Sequence, residues 1–382
     1  GFPYAWEKYA QVLIADFIEG GMENTSVTFL LDYATVYDGR ERLDGLPTSL
    51  IAHELAHQWW GDVVTCKDWR HLWLNESFAS YFDPLYTEYS AGRDEFELEM
   101  FNSQQSGIYC DTVLGRKPVV SIGSYGLNVY PRGAAILHML RYTLGDRLFW
   151  KALNHYITKH QFTSVETNDL KVAIEEATGQ NLYWFFDQWV YKAGHPVFEV
   201  KQRWIESEKS VYLTVQQTQK MDSLTGVFRT PVDIEISSPA GKTRHRVTIL
   251  TRDTTFILPC GAKPELVAFD PDGWILKELK FEKSDDEWMY QAEYDSSCVD
   301  RMLALRALAA SPHNEAFVPV FSRLALNNAF WNIRREAVRA LGKVQKDDDS
   351  VRGHIAATLI VASRDTKSAV RSAPISQLGK FR

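Results

Sequence analysis

Two histidines four residues apart, enclosing a glutamate, carry the strongest chemical signal in this 382-residue chain: His53-Glu54-Leu55-Ala56-His57. On a helix, residues at that spacing share a face, so both imidazoles can reach one metal ion. Glu54 then lies beside the ion's open position, where it can take a proton from bound water. Such a string arises by chance in roughly two of a hundred chains of this kind, so it needs company. Catalytic zinc takes three protein ligands plus a water, and Glu76 follows His57 after 18 intervening residues. It opens the apolar run Leu74-Asn75-Glu76-Ser77-Phe78-Ala79-Ser80-Tyr81-Phe82, which reads as a second helix. Laid antiparallel beside the first, that helix brings Glu76 to the ion. Two imidazoles and one carboxylate suit zinc better than calcium or magnesium, which prefer oxygen throughout. Taken alone, Glu76 reads better as a carboxylate favouring its helix N-terminus; joined to the histidines it does not.

Three zones of the chain must position these groups. The first opens with strand-like runs, Gln11 to Asp16 and Thr25 to Asp32, and then turns helical, with an apolar helix over Ala135 to Leu144 that stops at Gly145. From Val197 to about Phe281 the period becomes two: Val211, Leu213 and Val215 point one way, as do Val232, Ile234 and Ile236, with Pro239-Ala240-Gly241 and Asp270-Pro271-Asp272-Gly273 as turns. This spacing predicts a small antiparallel β-sandwich. Acidic Ser284-Asp285-Asp286-Glu287 separates it from a helical tail with an internal repeat: Ile333–Val344 aligns with Val370–Phe381, and a weaker copy spans Arg301–Ala309. Such a repeat suits stacked helix pairs of the HEAT/armadillo kind.

Composition excludes several classes. Hydrophobic residues at 45% and charged residues at 24% belong to a globular protein rather than a disordered one. A net charge of −7 offers no basic footprint for nucleic acid. No apolar run approaches ~18 residues, so no membrane span is expected. Cys66, Cys110, Cys260 and Cys298 lie too far apart for a disulfide framework or a Cys-x-x-Cys metal pair. The compartment stays open between cytoplasm and export.

Four features in order give the chain a family resemblance: Gly20-Gly21-Met22-Glu23-Asn24, then His53-Glu54-x-x-His57 with Glu76, then Trp59-Trp60-Gly61-Asp62, and last Tyr130 followed by Pro131-Arg132-Gly133. It resembles the gluzincin aminopeptidases, the group of aminopeptidase N and leukotriene A hydrolase. The resemblance implies a multidomain α+β architecture: a thermolysin-like zinc catalytic domain over residues 1–197, a β-sandwich over 198–283 and a HEAT/armadillo-like solenoid over 284–382. It implies one zinc per chain on His53, His57 and Glu76, with Glu54 as general base. Gly20, Gly21, Met22, Glu23 and Asn24 would line the peptide, Glu23 holding its free α-amino group, and Tyr130 would donate a hydrogen bond to the oxyanion. The activity implied is zinc-dependent hydrolysis of the N-terminal bond of peptides with a free N-terminus, by a monomer.

The chain departs from the family pattern in places. The family has a large β-domain before the zinc domain, and nothing here corresponds to it, so the chain is expected to be a piece of a longer protein. Ser77 replaces a common Gly and is expected to be tolerated in the helix. Pro131-Arg132 replaces an acidic residue and Lys, and Arg132 is read as a surface charge. His71, His138, His155, His160 and His195 are read as structural or solvated. A weak or inactive scaffold that binds partners through its helical repeats is the alternative reading. It is disfavoured because His53, Glu54, His57, Glu76, Glu23 and Tyr130 are all present.

Overall fold

The computed structural model describes residues 1–32, 48–113, 115–344 and 348–378. Strands β1 (Ala10–Ile14), β2 (Gly21–Met22) and β3 (Val27–Leu31) make a small sheet in the order β1-β3-β2. β1 runs parallel to β3, and the short β2 pairs antiparallel with its end, Gly21 opposite Leu30 and Met22 opposite Phe29. The first helix among the described residues, α1 (Thr48–His57), ends in the His53–His57 string and leads into β4 (Val64–Cys66). Helices α2 (Trp73–Ala91), α3 (Arg93–Val113), α4 (Pro131–Leu144), α5 (Asp146–His160) and α6 (Thr167–Thr178) follow, with β5 (Thr163–Val165) pairing parallel to β4.

Local chemistry sets these boundaries. Proline stands at the start of α4, where its missing N–H costs nothing, and Gly145 in a positive-φ conformation ends it. Glu166 and Asp169 exchange hydrogen bonds as a capping box at the start of α6. The interior of this first region is aromatic: Trp73, Phe78, Tyr81, Phe149 and Tyr156 are all buried. Trp60 stacks on Phe78 at 4.5 Å between ring centres, which fixes the end of α1 against α2.

The middle zone forms two sheets. One has the order β10-β7-β6-β12 and the other β11-β8-β9, built from β6 (Val197–Ile205), β7 (Ser210–Gln217), β8 (Thr230–Ser238), β9 (Gly241–Ile249), β10 (Asp253–Pro259), β11 (Leu266–Phe269) and β12 (Glu278–Phe281). Val211, Leu213, Val215, Val232, Ile234 and Ile236 all point into the core. One correction applies: β12 runs parallel to β6, so the pairing is not purely antiparallel. β12 reaches β6 by a crossover from the opposite sheet, and no tight turn constrains its direction.

Helices α7 (Asp285–Tyr294), α8 (Cys298–Ala310), α9 (Val318–Asn327), α10 (Trp331–Leu341), α11 (Asp349–Ala362) and α12 (Ser368–Leu378) complete the chain. The acidic stretch at their start has a local reason: Ser284 and Glu287 form the capping box of α7. The repeat copies fall on α8, α10 and α12, which pack side by side in one layer, while α9 packs on α11 in a second. Gly379–Phe381, the end of the last copy, lies outside the described residues.

Two apolar cores result. One runs without a break from Ala56 in α1 to Phe281 in β12. The other joins α7–α12 to Leu98 of α3. Polar ties reinforce the second junction: Trp331 Nε1 donates to Glu95 at 2.6 Å, and Ser297 Oγ to Glu97 at 3.0 Å. Among the described residues no helix is long and apolar enough to cross a membrane. Because Phe78 is fully buried under Trp60, Phe78→Ala is expected to lower unfolding stability by about 3–5 kcal/mol, read from denaturant midpoints.

Candidate metal centre and peptide cleft

Helix α1 carries His53 and His57 on one face, and α2 packs against that face with Glu76 in its first turn. The His53 and His57 Nε2 atoms lie 3.1 Å apart, and Glu76 Oε2 lies 3.4 Å from the first and 3.2 Å from the second. Donors about 2.0–2.1 Å from a tetrahedral zinc ion sit ~3.3–3.4 Å from one another, so this triangle fits such an ion with its fourth corner open to the cleft. The carbonyl of Trp60 can only accept, and His57 Nδ1 donates to it at 2.9 Å. That bond turns His57 Nε2 toward the other two donors, the supporting contact that metal-binding imidazoles need.

Three carboxylates crowd this point. Burial opposes an ionised Glu76, but hydrogen bonds from His53 and His57 hold it down to about 2. Burial likewise opposes a charged His57, yet Glu76, with Glu23 and Glu54, pushes the imidazole up to about 9. Burial, reinforced by Glu23 and Glu76, lifts Glu54 up to about 8. Glu54 is 4% exposed, and its Oε2 has no hydrogen-bond partner among the described residues. A buried carboxylate oxygen without a donor is costly unless a cation or a proton-bearing ligand answers it. The set is therefore short of positive charge where the three donors converge.

The groups open on a cleft of about 380 Å³, lined among others by Gly20, Gly21, Glu23, His53, Glu54, His57, Glu76 and Tyr130. Strand β2 crosses close above α1. A Cβ at Gly21 would overlap the Glu54 carboxyl, so the strand can approach this closely only as glycine. Glu23 follows at the cleft's edge, its Oε1 3.9 Å from His57 Nδ1. The Tyr130 ring lies nearly parallel to that of His53, 6.0 Å between centres. Burial and the nearby Glu76 raise its phenol above the usual range, which keeps the hydroxyl a donor. Met22 and Asn24 are not brought into the cleft: their side chains alternate outward along the same segment and are exposed.

Several residues that the motifs did not single out hold this arrangement. Gln58, buried directly after His57, donates from Nε2 to the Glu23 carbonyl at 2.9 Å and accepts from the Ser26 N–H at 2.7 Å. It ties the Gly20–Asn24 segment to the end of α1. Asn75 accepts from the Cys66 N–H at 3.0 Å and fixes α2 to β4. Ser49 donates to Asp83 at 2.6 Å, joining the start of α1 to the middle of α2. A buried amide next to the motif is the one signal that could have marked Gln58. The surface reading of Arg132 is corrected: the side chain is 1% exposed, and it pairs with Asp111 at 3.0 Å. Its burial is created by α3 folding over the start of α4, which no local pattern announces.

Two facing helices bring two imidazoles and a carboxylate together, with a second glutamate beside them, an arrangement suited to a divalent metal. Residues 1–189 match the Peptidase family M1 domain, and that region belongs to the family of the resemblance, the gluzincin aminopeptidases. The chain is 31% identical over 232 residues to aminopeptidase M1-A of Oryza sativa subsp. japonica, an alignment covering 58% of this chain and 26% of the relative. It is 26% identical over 365 residues to puromycin-sensitive aminopeptidase of Caenorhabditis elegans, covering 91% of this chain and 37% of that protein. The chain thus spans well under half the length of these curated relatives. The crystal structure of Legionella pneumophila aminopeptidase A in complex with aspartic acid has the same fold over 97% of this chain and 48% of that one, with a TM-score of 0.74 at 15% identity. The donor triangle carries its own test: Glu76→Ala is expected to weaken zinc binding by more than the ~10–100-fold that follows loss of a supporting group, measured by competition with a chromogenic chelator. Unchanged affinity would remove Glu76 from the donor set.

Proposed function

We propose that the chain is the catalytic part of a zinc aminopeptidase that removes the N-terminal residue of peptides with a free α-amino group. The observation that carries the reading is the position of Glu23, within 3.9 Å of His57 and beside the donor triangle at one edge of the cleft. A substrate ammonium paired with Glu23 sets its first peptide bond over the triangle. A blocked N-terminus leaves that carboxylate desolvated and without a partner, a cost of several kcal/mol.

His53, His57 and Glu76 would hold the ion, one per chain. Zinc held there supplies Lewis acidity, which acidifies a water and polarises a carbonyl. Glu54 stands beside it, buried and with a free oxygen, and acts as general base: it takes the proton of the attacking water and returns it to the leaving amine. The Tyr130 hydroxyl donates to the oxygen on which negative charge develops, an interaction made only as the bond order falls. The backbone of Gly20, Gly21, Met22 and Asn24 lines the peptide, which accounts for two of these side chains facing away. We read the chain as three units, 1–197, 198–283 and 284–382, the last a short HEAT-like stack.

Two measurements test this. Glu54→Gln is expected to lower kcat by about 10²–10⁴-fold on an aminoacyl-p-nitroanilide while one zinc per chain remains bound; loss of zinc in that variant would reassign the residue. Glu23→Ala is expected to lower kcat/KM for free-amine substrates by about 100-fold and to leave the slow turnover of N-acetylated ones unchanged. Equal loss on both would remove the exopeptidase reading.

A further inference from the structure

Tyr130 stands at the start of α4, at the residue before Pro131, and its hydroxyl is useful only if that junction is fixed relative to Glu76. Two ties converge on it from opposite sides. On the α2 side, Ser77 Oγ donates to the Val129 carbonyl at 2.5 Å. Ser77 is the neighbour of Glu76, so one helical turn carries both a donor of the triangle and the anchor of the tyrosine segment. The approach is possible because residue 133 is glycine: a Cβ there would overlap Ser77 Oγ. On the α3 side, the buried Arg132 guanidinium donates from Nη1 to Asp111 Oδ1 at 3.0 Å and from Nη2 to the Gly194 carbonyl. Asp111 is held in turn by His195 Nδ1 at 2.9 Å, and His195 Nε2 reaches Glu278 of β12 at 3.0 Å. The junction is thus clamped by hydrogen bonds to the helix of Glu76, to α3 and to the loop that enters the sandwich.

From this geometry we infer that Arg132 and Ser77 are positioning residues for the reaction, acting through Tyr130. The inference rests on the reading of Tyr130 as the oxyanion donor. Arg132 reaches two acceptors at once with its planar fork, a shape that lysine lacks. Ser77, where the family commonly has glycine, adds a bond that a glycine cannot make. Neither side chain lines the cleft, so their loss moves the phenol without touching the substrate or the donor triangle.

The experiment compares kcat, KM and zinc content for the unaltered chain, Arg132→Gln, Tyr130→Phe and the double variant, on one aminoacyl-p-nitroanilide. Misplacing a transition-state donor by about 1 Å costs up to about 100-fold, so Arg132→Gln is expected to lower kcat by at least about tenfold. KM and one zinc per chain should be unchanged. In the Tyr130→Phe background the same substitution should cost nothing more. A double variant whose kcat falls by the product of the single losses overturns the inference, as does a normal kcat in Arg132→Gln while Tyr130→Phe is impaired. Should Tyr130→Phe itself leave kcat unchanged, the oxyanion reading fails first, and the positioning role falls with it. If Arg132→Gln does not fold, Ser77→Ala removes only one hydroxyl and is held to the same pattern, with a smaller loss of about threefold to tenfold. A kcat unchanged in that variant overturns the inference.

Discussion

The first region of the molecule is organised around acidic side chains drawn together on one pair of imidazoles. Among the described residues, Glu23, Glu54 and Glu76 converge on His57 with two imidazoles to answer them, in surroundings that exclude much of the water. Packing holds these groups together. Trp60 stacked on Phe78 fixes α1 against α2, and Ser49 with Asp83 ties the start of α1 to the middle of α2. The cluster is therefore held in a rigid frame, a setting that would suit a divalent cation.

The same frame divides the labour within the cleft. The two helices fix the donor triangle, whereas the short sheet brings Gly21 and Glu23 over it from outside the pair. Gln58 joins the two systems, because one amide holds both the Glu23 carbonyl and the Ser26 N–H. The spacing between Glu23 and the triangle is then held in part by one hydrogen-bonded side chain just past the end of α1. Preorganisation of this kind lets a site discriminate by position rather than by motion.

What could be read from the sequence was what depends on short range. The spacing of His53 and His57 fixes a common face once the segment is helical, and the apolar run around Glu76 marks its helix. The alternation in β7 and β8 marks strands for the same reason. Glu23 and Tyr130 drew their meaning from a family pattern, since a carboxylate at a strand end and one tyrosine of 17 have no local signature. Arg132 was misread because charge predicts exposure only on average: its partners Asp111 and Gly194 are brought to it by α3 and by the entry to the sandwich. The parallel pairing of β12 escaped for a similar reason, because strand direction after a crossover is set by the assembled sheets.

The unbroken apolar interior from α1 to the sandwich has a consequence for how the molecule comes apart. A β-unit on its own linker could melt while the catalytic helices stayed intact. Here Phe198, Ile234 and Phe281 belong to the same packed interior as Phe78 and Trp73, so the sandwich serves as one wall of the catalytic region. A shared interior of this kind is expected to unfold as one cooperative unit, the strands and the helices of the site being lost together. The helices beyond residue 284 pack mainly on one another, yet Leu98 of α3 and the Trp331–Glu95 and Ser297–Glu97 bonds seat them on the same frame, so they are expected to loosen only as those ties break.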